Sequence, residues 1–256
     1  MLPPAASEND GGMQPSQRLD PTLGYAAADV RAAERPLLAA GVPLMARASA
    51  ALADDVLEVL AARGRRRGRV LVLAGSGGNG GDALYAGALL AAAGCRVAVA
   101  PLGRRVLAPA LAAARRSGAE VLPPDASTGR VAALGAASDV VLDGLLGIGA
   151  TGGLRAPTRQ TVAALADAAA GGPHVVAVDL PSGVDPDDGR VEGPVLAAGT
   201  TVTFGAMKAG LLLAPPALVG RLRLVDLGLG PSLAGARPLA TAAAGRPVTV
   251  QVRVGR

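Results

Sequence analysis

The sequence predicts an α/β fold, a three-layer, doubly wound and mostly parallel sheet of the Rossmann-like kind. Three observations predict it. Short apolar runs rich in valine and leucine recur along the chain, which is the pattern of strands buried on both faces. Helical stretches separate those runs, so consecutive strands are joined by right-handed βαβ crossovers. The first run ends in a glycine-rich turn, Gly75-Ser76-Gly77-Gly78-Asn79-Gly80-Gly81-Asp82, that opens into a helix.

In chain order, Asp29 to Arg63 carries two helical patterns, interrupted by Pro36 and by the turn from Gly41 to Pro43. Strand-like runs follow at Arg69 to Ala74, Arg96 to Ala100, Glu120 to Leu122, Val140 to Leu142 and Val175 to Val178. Helical stretches at Asp82 to Ala93, Val106 to Ser117, Gly129 to Ala136 and Thr158 to Ala169 lie between them. Thr200 to Phe204 and Arg221 to Val225 add strands at one side. Residues 1–20 read as a disordered leader, with Met13 an alternative start. Residues 21–228 read as one domain, and 229–256, rich in Ala, Gly, Pro and Arg, as a flexible tail.

Composition excludes several classes. Half of the 256 residues are hydrophobic, enough for a full core, and no apolar run approaches the roughly 20 residues that cross a bilayer. Cys95 is the single cysteine, so no internal disulfide forms, and the start of the chain lacks the basic and apolar regions of a secretory signal. Both point to the cytoplasm. The net charge of +5 rests on arginine, and Arg63, Arg65, Arg66, Arg67 and Arg69 cluster before the first strand. With only Tyr25, Tyr85 and Phe204 as aromatics, the cluster reads as a solvated helix end and not as a nucleic-acid surface.

Against this bias the exceptions are informative. Lys208 is the only lysine among 25 basic residues, and Asn79 is the only asparagine outside the leader. Both sit among glycines and small residues, and both read as functional, with a solvated loop lysine as the alternative for Lys208.

In open α/β sheets, ligands lie at the carboxyl ends of the strands. Three loops there are polar or glycine-rich. In the first, Gly75 to Asp82, glycine lets the backbone approach a phosphate and adopt positive φ, and the helix start offers unpaired N–H groups. The second begins at Asp143 and runs through Gly147-Ile148-Gly149-Ala150-Thr151-Gly152-Gly153 to Arg155. The third is Asp179-Leu180-Pro181-Ser182-Gly183. Asp143 and Asp179 each end a buried strand, so both carboxylates point to one crevice. Either alone would serve equally well as a helix cap or turn residue.

These loops resemble the YjeF N-terminal domain family, the NAD(P)H-hydrate epimerases, over about Tyr25 to Gly228. AGSGGNGGDA is similar to the family's GPGNNGGDG, and AVDLPSGVDPDDG to its VDIPSGLDADTG. VVLDGLLGIGATGGLRAP is similar to its Asp-ended strand and following GTG loop. TVTFGAMKAGLLL, then LVDLG, matches its TFGAPKPGLL and closing segment. The resemblance implies an isomerase that interconverts the R and S epimers of NADHX and NADPHX, nicotinamide cofactors hydrated at C6 of the reduced ring. It implies Asp179 as the general acid and base, since the only histidine, His174, starts a strand at the wrong end of the sheet. It implies a potassium ion on Asn79, Asp143 and Ser182, hard oxygen donors, and substrate contacts from Gly78, Asn79, Gly80, Gly81 and Asp82, from the seven residues Gly147 to Gly153, and from Asp179 and Lys208. A homodimer and a separate NAD(P)HX dehydratase acting downstream complete the picture, because the stretch after Gly228 is too short for a second domain. Gly78, Ala83, Ile148 and Gly152 depart from the family pattern and bear on substrate affinity.

Two other readings compete. Gly75, Gly77 and Gly80 satisfy the GxGxxG fingerprint of an NADP-dependent dehydrogenase, with Arg104 and Arg105 for a 2′-phosphate, but that reading explains neither the Asp143 loop nor the Asp179 segment. The other is a non-catalytic nucleotide-binding scaffold of the same fold, which loss of the acid or the ion ligands would signal.

Overall fold

The computed structural model describes residues 19–150, 152–168 and 172–252. A short strand β1 (Leu23–Gly24) leads into helices α1 (Ala27–Ala39) and α2 (Leu44–Ala62). Then come β2 (Arg69–Ala74), α3 (Gly78–Ala92), β3 (Arg96–Pro101), α4 (Ala108–Arg116), β4 (Glu120–Val121) and α5 (Thr128–Ala136). The next elements are β5 (Val140–Gly144), α6 (Thr158–Ala168), β6 (His174–Val178), β7 (Thr200–Phe204) and the short helices α7 (Ala209–Leu213) and α8 (Pro216–Val219). The chain closes with β8 (Arg221–Asp226), α9 (Gly230–Leu233), β9 (Ala240–Thr241) and β10 (Val248–Val252).

Eight strands form one sheet in the order β10-β8-β7-β6-β5-β2-β3-β4, and every pairing in it is parallel. From β2 the chain winds outward through β3 and β4, then returns to place β5 on the other side of β2. The crevice between the ends of β2 and β5 is therefore the topological switch point, where such sheets bind ligands. Register sets Leu73 opposite Asp143, and Asp143 opposite Ala177, so the loops that follow β2, β5 and β6 leave the sheet side by side.

Alternation divides the core into two faces. Val70, Val72, Val140 and Leu142 pack with Leu52, Val56 and Leu84 of α2 and α3. Leu71, Leu73, Val141 and Val175 pack with Val131, Val162 and Leu165 of α5 and α6. Burial of one such side chain contributes about 1.5–3 kcal/mol, and this two-sided burial is why the runs lack polar alternation.

The sequence expectations meet three differences. Helix α1 continues through Pro36, which is exposed, and ends a turn later where Gly41 takes φ 75°. Proline removes one N–H from a helix but here falls near its end. Helix α3 starts at Gly78, four residues before the expected Asp82. The segment expected as a flexible tail holds β9, antiparallel to β1, and β10, parallel to β8. Gln251 of β10 donates to Asp55 Oδ1 at 3.1 Å, and Arg223 of β8 pairs with the same oxygen at 2.5 Å, tying the edge of the sheet to α2. The expected leader lies almost wholly outside the described residues. Among the described residues, no single helix is long and apolar enough to cross a membrane.

Candidate active site

The switch point opens into a cleft of about 1220 Å³, the scale of a large ligand such as a dinucleotide. Its floor is the loop from Gly75 to Asn79 and its walls are residues 145–150 and 152–158, with Asp179 at one end and Arg31 and Glu34 of α1 above. Asp187 Oδ1 accepts from the backbone N–H of Ala27 at 2.6 Å, and so caps α1, whose own preceding residue Ala26 has no side-chain acceptor. That bond fixes the helix over the cleft. Arg31 then donates to the carbonyl of Ile148 at 2.6 Å, bridging α1 to the opposite wall.

The glycines divide by task. A Cβ on Gly75 would lie 1.9 Å from the carbonyl oxygen of Leu145, and one on Gly80 would lie 2.1 Å from the oxygen of Gly75. Those two glycines let α3 and the two loops touch backbone to backbone. Gly77 and Gly78 have nothing within 4 Å of a built Cβ and border the cleft. No residue from Gly75 to Gly81 takes positive φ, so close approach, not a left-handed turn, is what glycine provides here. No side chain caps α3, so its first N–H groups lack a side-chain acceptor, and Gly77, Gly78 and Asn79 at its start border the cleft.

Asp179 is the single non-glycine residue at positive φ among the described residues, at 68°. Such a conformation is uncommon outside glycine and gathers at functional sites. Its Oδ1 accepts from Thr203 Oγ1 at 3.0 Å, from the backbone N–H of Phe204 at 3.2 Å and from Lys208 Nζ. Lys208 also donates to Thr203 Oγ1 at 3.1 Å and to the carbonyl of Phe204 at 2.8 Å. It is 1 % exposed, which corrects the alternative of a solvated loop lysine, and it reaches the cleft only through Asp179, where the expected substrate contact would have to be made. Its flexible stem folds under the β7 end, where the carboxylate draws the ammonium out of water's reach.

Asp143 is also buried. Its Oδ1 accepts from Ser182 Oγ at 2.6 Å and the Leu145 N–H at 3.3 Å, and its Oδ2 from the Ser182 N–H at 2.9 Å. Among the described residues no basic side chain pairs with it. Burial pushes its carboxyl above the usual range, against the pull of the Ser182 and Leu145 bonds. Asn79 turns its amide nitrogen to the carbonyls of Leu146 at 3.0 Å and Val178 at 2.6 Å. Its Oδ1 faces Gly147, where a Cβ would lie 2.4 Å away. The Asp143 carboxylate, which has no counter-charge among the described residues, the Ser182 hydroxyl and the Asn79 amide are oxygen donors of the type that a hard monovalent cation takes.

Of the expected substrate contacts, Gly78, Asn79, Asp82, Gly147, Ile148, Gly149, Ala150, Gly152, Gly153 and Asp179 border the cleft. Gly80 and Gly81 do not. Gly80 packs on Gly75 and Gly81 on Met45 and Leu107, so both serve the approach of α3. Thr151 lies outside the described residues. The sequence reading missed Arg31 and Glu34, because nothing in the α1 pattern distinguishes a charged residue over a cleft from one facing solvent.

A parallel doubly wound sheet with a glycine-rich helix start and acidic strand ends around its switch point defines a nucleotide-binding α/β protein. Comparison narrows the class. The chain belongs to the family described as YjeF-related protein N-terminus, which it matches over residues 41–210. It is 52 % identical over 227 residues to the NAD(P)H-hydrate epimerase of Clavibacter sepedonicus, covering 86 % of this chain and 96 % of that one. The same-named protein of Microbacterium testaceum is 50 % identical over 245 residues, covering 94 % and 90 %. A bifunctional NAD(P)H-hydrate repair enzyme of Mycobacterium tuberculosis is 41 % identical over 211 residues, 80 % of this chain and 41 % of the enzyme. The crystal structure of yeast YNL200c shares the fold, with a TM-score of 0.68 at 20 % identity over 87 % of this chain and 98 % of that one.

Proposed function

We propose that the protein is an NAD(P)H-hydrate epimerase, an isomerase of nicotinamide cofactor repair that interconverts the R and S epimers of NADHX and NADPHX. One observation carries the reading. A strained, lysine-paired carboxylate, Asp179, stands at the end of a dinucleotide-sized cleft whose floor is an anion-binding helix start. The relatives at 50 % identity or more that carry the epimerase name support it.

The chemistry asks for no redox step. Loss of the C6 hydroxyl needs a proton on the oxygen, the ring nitrogen lone pair stabilises the cation, and water returns to the other face. Asp179 exchanges protons with the hydroxyl and the incoming water. All three donors to Asp179 fall on Oδ1, which fixes the carboxylate and leaves Oδ2 for that exchange. The α3 start and the glycine loops hold the phosphates through N–H groups. Asn79, Asp143 and Ser182 would hold potassium. Bound there, that ion would supply the positive charge that Asp143 lacks. Neither competing reading accounts for a paired carboxylate in the cleft. A homodimer, a cytoplasmic location and a downstream dehydratase belong to the same proposal, and the bifunctional name of the Mycobacterium tuberculosis relative supports the coupling of two activities.

The test is the rate of R to S conversion of NADHX and NADPHX, followed by chromatography in potassium buffer against the spontaneous rate. The intact protein accelerates it and Asp179→Ala does not. A folded protein with no acceleration moves the scaffold reading to first place.

A further inference from the structure

Asp82 is a buried carboxyl that the fold leaves without an obvious structural task. It lies one turn into α3, is 8 % exposed, and borders the cleft. Its Oδ1 is buried and has no hydrogen-bond partner among the described residues. The Ser49 hydroxyl bonds to the carboxyl, yet Oδ1 stays buried and unpartnered, which a carboxyl kept for stability ordinarily avoids. The groups that bear on it come from every side of the cleft: Asp179 after β6, Glu34 on α1, the Ser49 hydroxyl on α2, and Lys208 behind Asp179. Two of these are acids, and the one cation already donates to Asp179.

We propose that Asp82 is the proton donor to the departing C6 hydroxyl, the acid partner of the Asp179 carboxylate. The inference rests on the epimerase reading and deepens it. Epimerisation removes oxygen from one face of C6 and returns it to the other, so the two proton transfers given above to Asp179 are divided here: Asp82 gives and Asp179 takes. With two, the step balances. The C6–O bond breaks with its electrons on oxygen, which takes the Asp82 proton and leaves as water. The N1 lone pair closes a C6=N1 bond, giving an iminium cation beside two carboxylates. Water then adds through oxygen to the opposite face, the C6=N1 electrons return to N1, and the surplus proton passes to Asp179. The reverse reaction or exchange with solvent resets the pair.

Electrostatics agrees with this geometry. Burial first, then the charges of Asp179 and Glu34, push Asp82 up to about 8, against the smaller opposing effects of Ser49 and Lys208. At neutral pH Asp82 holds its proton, and beside it Asp179 is held by Lys208.

The experiment measures kcat and KM for R to S conversion of NADHX in potassium buffer, from about pH 6 to about pH 10. Wild type, Asp82→Asn, Asp82→Glu and Asp179→Asn are compared, each rate corrected for the spontaneous one. The wild-type kcat falls as pH rises through about 8. Asp82→Asn lowers kcat about 10²- to 10⁴-fold with KM nearly unchanged, and its residual rate loses that alkaline limb. Asp82→Glu restores part of the rate and the limb. A kcat for Asp82→Asn near wild type, or an effect on KM alone with the pH profile intact, overturns the assignment. If Asp82→Asn does not fold, the wild-type profile decides, and a kcat that is flat through the alkaline range overturns it. A wild-type protein no faster than the spontaneous reaction overturns the epimerase reading and this one together, whereas an active wild type with a normal Asp82→Asn removes Asp82 alone.

Discussion

Lys208 Nζ reaches Asp179 Oδ1 from beneath the cleft, with Thr203 Oγ1 and the Phe204 carbonyl as its other acceptors. The chain's only lysine therefore pairs with a carboxylate that borders the cleft and does not border the cleft itself. Both members are buried, so the pair is worth more as a fixed geometry than as a source of net stability.

Breaking the pair exposes that balance. Lys208→Met leaves the Asp179 charge buried without its ammonium, which costs about 3–5 kcal/mol, read by chemical denaturation. Asp179→Asn added to Lys208→Met removes the charge, and asparagine tolerates the positive φ. The double variant regains much of the stability and none of the activity. A double variant no more stable than Lys208→Met alone would sink this account.

The glycine loop separates folding from binding. Gly75→Ala or Gly80→Ala drives a methyl into a backbone carbonyl about 2 Å away, and neither carbonyl belongs to a flexible side chain. Each costs at least the roughly 1–3 kcal/mol of an overpacked core. Gly77→Ala meets open space at φ −95°, so it folds normally and raises KM by crowding the anion site. Equal melting temperatures for Gly75→Ala and Gly77→Ala would contradict the division.

What was legible in the sequence follows from burial. The runs from Arg69, Val140 and Thr200 declare parallel strands because both faces are covered and no polar alternation blurs them. The same logic hid β10, whose Val-Thr-Val-Gln-Val alternation marks an edge strand inside a segment that composition reads as loose. At the site, residue types were legible and their surroundings were not. Asp143 and Ser182 are hydrogen-bonded neighbours and Asn79 bonds to the Leu146 and Val178 backbone, but the sequence shows neither that Lys208 folds under Asp179 nor that Asp82 loses its solvent. Both depend on how α1, α2 and the β7 end close around the cleft, which no local pattern encodes.

Potassium is expected to act as a stabilising ligand. Exchanging it for tetramethylammonium at equal ionic strength lowers the melting temperature, because binding to the folded state alone adds RT ln(1 + [L]/Kd), about 2.7 kcal/mol at a hundredfold excess over Kd. Asp143→Asn removes most of the difference between the two salts, since the amide carries no charge for the ion to neutralise. The same melting temperature for wild type in both salts would dismiss the ion site.

Stability should also fall as pH rises from mildly acidic to mildly alkaline. Asp82 is raised to about 8 and Asp55 to about 6, each chiefly by burial, and Glu34 is raised as well. A carboxyl raised in the folded state binds its proton more tightly there than in the unfolded chain, whose value is about 4. Its contribution is complete below the unfolded value and is lost as pH climbs through the folded one. Asp55 therefore withdraws support between about pH 4 and 6, and Asp82 between about pH 4 and 8. Asp20 and Asp188 are shifted downward, but at exposed positions where solvent weakens the effect. Denaturation midpoints measured across this range should decline for wild type, and Asp82→Asn should flatten the decline between about pH 6 and 8 and leave only the Asp55 share of it below. A stability that climbs steadily over the same range would mean that these carboxyls are charged in the folded protein, and with them would go the proton that Asp82 is assigned to give.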